Sequence, residues 1–491
     1  MKEIVVLGGG TAGWLTALYV KQIMPGSEVT VVQNKKIGII GVGEATTPPF
    51  VDFLKILNIN TYDFLRDVGG TIKNGINFEN WRGDGKKYFH PFKAKLGSKF
   101  DQFTVPPVFG YNCMDYYVKK LIHENLDLND YDYSVLLSCS NKVDPDNVVG
   151  AFHFDTNRAS EYFEKQGIRR GIRIVNDNFA GVEEDSNGFI TAINLDNVKL
   201  ACDFVFDCSG LSRLIVGKHY NTEWYSYKKH LPMNSAIPFY LENGDNIKPY
   251  TSAISMPHGW MWQIPLQHRI GAGYVFDANY ITAEQAKQEA EDYLGQTIEV
   301  SKLIKFESGR FKQTWVKNCV AVGLSAGFIE PLESSSIHIT ITQLQTFAHF
   351  VNHMFVHNKN STSMYNTLIS QCNDEILNFV YLHYLTDRAD TEFWKNFKRD
   401  YLPPENFKHT LGLIQESNLR YQDTYYVTQN NAFNLYSYLH VCQGLNLFKN
   451  PIDIFGFDNI TPSIAEYKNT IDTGVLVAKT HNEFLKGLHT I

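Results

Sequence analysis

Residues 4 to 7, Ile-Val-Val-Leu, form an apolar run with no polar alternation, the pattern of a strand buried on both faces. Gly-Gly-Gly-Thr-Ala-Gly-Trp follows at once. From Thr11 to Met24 the apolar residues Leu15, Leu18, Tyr19 and Ile23 recur at helical spacing. Pro25 to Glu28 then end that helix before a second apolar run, Val29 to Val32. The order strand, glycine turn, helix, strand is a βαβ unit. Two later segments, 201–210 and 318–336, each read as a buried strand running into a Gly/Ser turn. Between them, residues 215–300 carry alternating runs such as Ser235 to Leu241 and Arg269 to Phe276, suited to an antiparallel sheet. From about residue 338 to the end the pattern is mostly helical, broken at Leu402 to Asn406 and at Lys449 to Phe455.

This order predicts an α/β chain in two parts. The first, 1–345, is a nucleotide-binding domain of Rossmann type with an interleaved substrate sheet at about 215–300. The second, 346–491, is a helical module that builds the substrate pocket. Gly8, Gly10 and Gly13 make G-x-G-x-x-G between a clean strand and a clean helix, where glycine allows the tight turn, the approach of a pyrophosphate and close strand–helix packing. Nucleotide-binding pieces at the start, the middle and two-thirds of the way along favour FAD over NAD. At the end of the second strand, where an acidic residue usually meets the adenosine ribose, stand Gln33 and Asn34, so the hydrogen bond there is neutral rather than charge-assisted.

Composition narrows the class without changing this picture. With 45 Lys and Arg against 52 Asp and Glu there is no basic stripe for nucleic acid. No apolar run reaches the length of a membrane span, and the opening Met-Lys-Glu-Ile-Val-Val-Leu enters a strand with no room for a signal peptide. Seven cysteines without CxxC or Cys/His ligand spacing fit buried thiols in a reducing, cytoplasmic setting, with no disulfide framework and no metal site. The aromatic share, 14%, suits large core residues or an aromatic-lined pocket for a flat substrate.

Four further segments resemble the flavin-dependent tryptophan-halogenase-like family, in that family's order. Gly-Trp-Met-Trp-Gln-Ile-Pro supplies Trp260, Trp262, Ile264 and Pro265 of W-x-W-x-I-P. Gly-Val-Gly-Glu-Ala-Thr-Thr-Pro-Pro (41–49) resembles the strap over the flavin, with Glu44, Ala45 and Thr46. Residues 318–336 carry Gly323 and then Gly-Phe-Ile-Glu-Pro-Leu-Glu-Ser-Ser-Ser, resembling the segment that places Glu333 and Ser334. Residues 379–394 resemble the helical signature of the carboxy-terminal part. The resemblance implies a GR2-type flavin monooxygenase-like fold and an enzyme in which FADH2 from a separate flavin reductase, O2 and halide give hypohalous acid. That acid then halogenates an aromatic small molecule, indole- or phenol-like. A homodimer is compatible with it. It further implies that Trp260 and Trp262 shield the flavin, that backbone amides at Ser335 and Ser336 hold halide, and that Glu333 serves the cationic ring intermediate. Glu330 reads as structural, and His383, Tyr384 and Trp394 as core. Ser335 and Ser336 replace the family's Thr-Gly, which matters if the turn needs positive φ.

The same resemblance expects a lysine immediately before F-x-N-W, and Asn77 stands there in Asn-Phe-Glu-Asn-Trp. An amide nitrogen cannot carry halogen as an amine does. Lys73, four residues earlier, is either a substitute amine or a solvated or structural lysine: within reach on a helix, about 13 Å away on a strand. Two other readings of the chain are a flavin monooxygenase or oxidase on the same fold, and a flavin-binding protein without turnover.

Overall fold

The computed structural model describes residues 2–38, 44–93, 113–148, 150–356, 358–419, 433–452 and 463–490, with 113–116 described by backbone alone. The apolar run at the start becomes strand β1 (Glu3–Leu7), flanked in parallel by β2 (Glu28–Gln33) and by the strand Phe204–Asp207. Both faces of β1 are covered, which is why its sequence lacks alternation. Ile4 and Val6 join a cluster with Trp14 and Leu18 of helix α1 (Thr11–Ile23), whereas Val5 and Leu7 join another with Ile193, Val205 and Val216. The six-stranded sheet runs Trp315–Val316, Cys319–Ala321, Phe204–Asp207, β1, β2, Arg173–Asn176, so the two late strand-and-turn segments do lie beside the first.

The second sheet has seven strands: Ile304–Lys305, Ser235–Leu241, Ile270–Phe276, Gly259–Pro265, Thr251–Met256, β5 (Gly75–Glu79) and β6 (Lys87–Pro91). It extends beyond the expected span of about 215–300, because β5 pairs in parallel with Thr251–Met256 and brings β6 with it. A third, three-stranded sheet sets Ala151–Phe154 between β3 (Glu44–Ala45) and β4 (Thr71–Lys73). Asn74 alone separates β4 from β5, yet the two strands belong to different sheets. Residues 41–43 of the strap and 453–455 of the last expected break lie outside the described residues.

Position 345 falls inside the helix Ser335–Ala348. The next helix, Lys359–His383, spans 25 residues and serves both large cores: Tyr365 and Ile369 pack with β1 and α1, while Ile376, Phe379 and Leu382 pack against β5 and β6. Each such fully buried side chain contributes about 1.5–3 kcal/mol by removal of apolar surface from water. Its start is capped by the Asn358 side chain, which accepts from the amides of Asn360 and Ser361. Leu485 and Leu488, near the carboxy terminus, return to the core around β1. Among the described residues no helix is long and apolar enough to cross a membrane.

Candidate functional site

The glycine turn after β1 has the shape a dinucleotide requires. Gly8 has φ 125°, and a Cβ there would lie 2.2 Å from the Cys208 carbonyl oxygen; one at Gly13 would lie 1.9 Å from the Gly8 oxygen. Both are closed to any side chain. A Cβ at Gly10 would meet nothing within 4 Å, and Gly10 caps α1, whose first turn carries no acidic residue. The open space therefore faces the positive end of a helix dipole, and Thr11 Oγ1 is buried there with no hydrogen-bond partner among the described residues. These features fit the pyrophosphate of FAD. Gly323, at φ 70°, packs its turn against α1, 2.8 Å being the gap a Cβ would leave to Ala12.

At the end of β2, Gln33 is buried and its Nε2 donates to Glu164 Oε2 and Asn176 Oδ1, both at 3.3 Å. Glu164, on the helix Thr156–Arg169, also pairs through Oε1 with Lys35 at 2.9 Å. The carboxylate missing from the strand end is thus present from another element. No local pattern could disclose it, since 131 residues separate Gln33 from Glu164.

Glu44 and Ala45 pair with Phe154 and His153; Glu44 is half-buried, and burial pushes its carboxyl up to about 7. Thr46 is fixed to the same strand by its amide and hydroxyl, which donate to the Phe152 oxygen at 3.0 and 2.9 Å. The Thr46 carbonyl oxygen accepts from Lys73 Nζ at 2.9 Å, and Nζ also donates to Ser334 Oγ at 2.8 Å. Lys73 has no exposed surface. Burial lowers its ammonium to about 7, and the Glu333 carboxylate opposes part of that shift. A solvated Lys73 is excluded. Asn77 is also buried, but on β5 in the other sheet, where its Nδ2 donates to Glu79 Oε1 at 2.7 Å. The i to i+4 comparison of the two residues fails for a geometric reason: the chain changes sheets at Asn74, so no single periodicity relates them.

Glu333 closes the other side. It is 1% exposed, with Oε2 2.7 Å from His90 Nδ1 and Oε1 2.7 Å from His383 Nε2. Burial alone would raise its carboxyl, but the two imidazoles outweigh burial and hold it down at about 2. His383 also meets Tyr88 Oη through Nδ1 at 2.9 Å. Glu330, three residues earlier, is in a different state. Its Oε1 accepts from Tyr384 Oη at 2.5 Å, and burial pushes its carboxyl up to about 8, which favours the neutral acid.

The turn after Glu333 settles where positive φ occurs. It falls at Ser334, φ 58°, and Ser335 begins the helix, so the serines at 335 and 336 carry no left-handed strain. The Ser334 side chain makes no capping bond to that helix, and Ser335 Oγ is buried with no hydrogen-bond partner among the described residues. Amides and a hydroxyl at a helix start form a ready anion cradle. Thr47 of the strap touches the same helix through His338 Nδ1 at 3.0 Å.

Trp260 and Trp262 project to one side of the strand Gly259–Pro265, their ring centroids 6.3 Å apart. Trp260 is fully buried; Trp262 is half-buried and packs its six-membered ring against Gly273, where a Cβ would come within 2.2 Å of it. Ile264 and Pro265 are buried, and the Pro265 carbonyl oxygen accepts from Thr71 Oγ1 at 2.6 Å, tying this strand to β4 and so to Lys73. Sequence reasoning missed Tyr88 and His90, and read His383 as core alone. It is in the core, with no exposed surface; its Nδ1 is hydrogen-bonded with Tyr88 Oη, while its Nε2 lies 2.7 Å from Glu333 Oε1 without the alignment of a hydrogen bond. Among the described residues no group of three or more His, Cys, Asp or Glu could hold a metal ion.

Comparison with known proteins agrees with this geometry. The tryptophan halogenase family model matches residues 3–455. The 7-chloro-L-tryptophan 6-halogenase KtzR of Kutzneria sp. (strain 744) is 30% identical over 442 residues, covering 82% of each chain. The flavin-dependent halogenase BrvH from Brevundimonas sp. BAL3 superposes with a TM-score of 0.86 at 28% identity, covering 99% of each chain. Tar14, a tryptophan C-6 flavin-dependent halogenase (chlorinase) from taromycin biosynthesis, does so at 0.88 and 27%, covering 100% of each. Because the match runs through both large sheets and through the segments that carry Lys73, Trp260 and Glu333, the chain belongs to the tryptophan halogenase family, flavin-dependent enzymes that use FADH2, O2 and halide.

Proposed function

We propose that this chain halogenates an electron-rich aromatic small molecule, an indole or a phenol, with Lys73 as the amine that carries the halogen and Glu333 as the base that takes the ring proton. The observation that carries the reading is the buried Lys73 amine, held between Thr46 O and Ser334 Oγ with its pKa brought down to about 7. Bound at the Gly8 to Gly13 turn, FADH2 with O2 supplies the oxidising power that converts halide into hypohalous acid. The halide itself rests against the amides of Ser335 and Ser336.

At neutral pH a substantial share of Lys73 is the free amine, whose lone pair attacks the halogen of hypohalous acid. The N–X bond forms, the X–O bond breaks, and the hydroxide leaves as water with a proton from the nitrogen. The aromatic ring then attacks the halogen. The C–X bond forms, the N–X electrons return to nitrogen, and the proton lost from the ring carbon passes through Glu333 back to the amine. Trp260 and Trp262 exclude water and bulk organic molecules from the oxidising end. Asn77 has no part in this scheme, since its Nδ2 donates to Glu79 and an amide nitrogen carries no free lone pair for halogen.

A separate flavin reductase feeds the enzyme with FADH2, as in the family, and the chain works in the cytoplasm, in keeping with its free cysteines among the described residues. Light scattering would test for a homodimer. The deciding experiment supplies FADH2, O2, chloride or bromide and a panel of indoles and phenols, with mass spectrometry as readout. Halogenated product that disappears in Lys73→Ala is expected. Hydroxylated product would point instead to a monooxygenase, and no product to a flavin-binding protein without turnover.

A further inference from the structure

We propose that His481 is a positioning residue for Lys73: its imidazole stands where a neighbouring strand would, at the open edge of β4, and fixes the backbone from which the amine reaches Thr46 O and Ser334 Oγ. The proposal rests on the reading of Lys73 as the amine that carries the halogen.

The edge of β4 needs a partner. β4 is the outer strand of its three-stranded sheet and pairs only with Ala151–Phe154, so amides on its other side have no strand to meet. Thr71, Ile72 and Lys73 are all buried, which denies those amides water as well. The Ile72 amide donates instead to His481 Nε2 at 3.1 Å. An N–H group can only give such a bond, so Nε2 must offer its lone pair and the ring proton must sit on Nδ1. There, Nδ1 lies 2.8 Å from the Ile247 carbonyl oxygen, which can only accept. Both contacts call for the same neutral tautomer. His481 has no exposed surface, and burial lowers its pKa to about 4, in keeping with an uncharged ring.

His481 is itself held from several sides. It opens the helix His481–Leu488, whose Leu485 and Leu488 enter the core around β1. Its own amide donates to the Asn141 oxygen at 2.9 Å, and the two residues before it, Lys479 and Thr480, pair with Val143 and Lys142. The next residue, Asn482, accepts through Oδ1 from the Ile247 amide at 3.1 Å and donates through Nδ2 to the Asp245 oxygen at 2.7 Å. The loop so held then reaches the point where the chain changes sheets, because the Pro249 oxygen accepts from the Asn74 amide at 2.7 Å. Lys73 therefore stands between two anchored amides, that of Ile72 on His481 and that of Asn74 on the loop that His481 and Asn482 hold. Two titratable groups bear on this region. His153, on the strand paired with β4, is kept well below the usual imidazole range by burial first and then by Lys73 and His481, and the Glu333 carboxylate favours the ammonium of Lys73.

The test uses full-length His481→Leu, His481→Asn and His481→Gln, each with three readouts: hypohalous acid captured by a 1,3-diketone trap, halogenation of the aromatic substrate, and the pH profile of the latter. Leucine removes both bonds. Hypohalous acid forms before Lys73 acts, so the trap signal should stay within about two-fold of wild type, while ring halogenation falls about 10²-fold, the cost of displacing a reacting group by about 1 Å. An amine that leaves its dry slot regains water and its pKa rises, so the limb of the profile set by the free amine should move to higher pH by about half a unit or more. Asparagine reaches only the Nδ1 position and keeps the Ile247 bond alone, so it should behave as leucine does. Glutamine brings its side-chain oxygen to the Nε2 position, accepts from Ile72, and should recover ring halogenation to within about ten-fold of wild type. Equal loss of trap signal and ring product, an unmoved limb, or glutamine no better than asparagine overturns the proposal. Flavin fluorescence reports FAD binding and with it folding; if His481→Leu does not fold, the comparison of asparagine with glutamine decides. Lys73→Ala separates the two readings. If it still halogenates the ring, the role of Lys73 is lost and this proposal with it; if it is inactive while the His481 variants behave as wild type, only this proposal falls.

Discussion

Replacing Lys73 by methionine tests the state of the lysine through stability, independently of turnover. Burial lowers the ammonium from 10.5 to about 7. At about 1.36 kcal/mol per unit, holding this side chain costs the folded state about 5 kcal/mol at pH 7 and below. Methionine has a similar shape and no charge, but it leaves Thr46 O and Ser334 Oγ, which Nζ reaches at 2.9 and 2.8 Å, without a donor. Each loss costs about 1–3 kcal/mol. The effects largely offset at pH 7, so the variant should be between about 1 kcal/mol less and about 3 kcal/mol more stable than wild type there. The dependence on pH is the sharper quantity, because the lost hydrogen bonds cancel from it. Below pH 7 the lysine is protonated in both folded and unfolded chains, and the cost is fully present. Between pH 7 and 10.5 the unfolded chain binds a proton that the folded one does not, so wild type gains on the variant as pH rises, by about 3 kcal/mol at pH 9.5. Urea unfolding of both proteins at pH 7 and 9.5 measures the change in their difference. An unchanged difference would mean an ordinary lysine pKa, and the argument for a reactive amine would collapse.

Other substitutions test the remaining assignments. Asn77→Ala should keep ring halogenation within a few-fold of wild type by mass spectrometry; loss of all product would return Asn77 to the reaction. Glu333→Gln should reduce ring halogenation by about 10²–10⁴-fold while trapped hypohalous acid is unchanged, and equal loss of both would argue for a structural carboxylate. Gln33→Glu restores an acidic strand end, yet it would set a carboxylate where Nε2 now lies 3.3 Å from Glu164 Oε2, so FAD affinity in a fluorescence titration should not tighten. Tenfold tighter binding would show that Glu164 does not bear on that position. Trp262→Ala should raise peroxide release relative to halogenated product, and unchanged coupling would end its shielding role.

Much of the fold is legible along the chain because short-range rules govern it. A glycine turn that admits no Cβ at Gly13, where the obstacle is Gly8, and a helix start open at Gly10 depend on neighbours within a few residues, and the unbroken apolar run of β1 carries in its own pattern the need for cover on both faces. The indole pair at Trp260 and Trp262 follows from strand periodicity in the same way. The placement of Lys73 does not. Counting along Gly70 to Trp81 treats the segment as one element, whereas Lys73 and Asn77 lie in two sheets that part at Asn74.

By itself, then, the sequence determined the nucleotide-binding unit, the order of its later strands and the resemblance that implied a flavin, a halide and an aromatic substrate. Only the tertiary structure decided which nitrogen stands beside Ser334, which imidazoles hold Glu333 and where a carboxylate returns near Gln33. The reason is physical: His383 and Glu333 are 50 residues apart by their numbering, and Lys73 and Ser334 are 261 apart. Their charges and pKa values arise from burial and contact distance, which exist only once the two large sheets and the Lys359–His383 helix have packed.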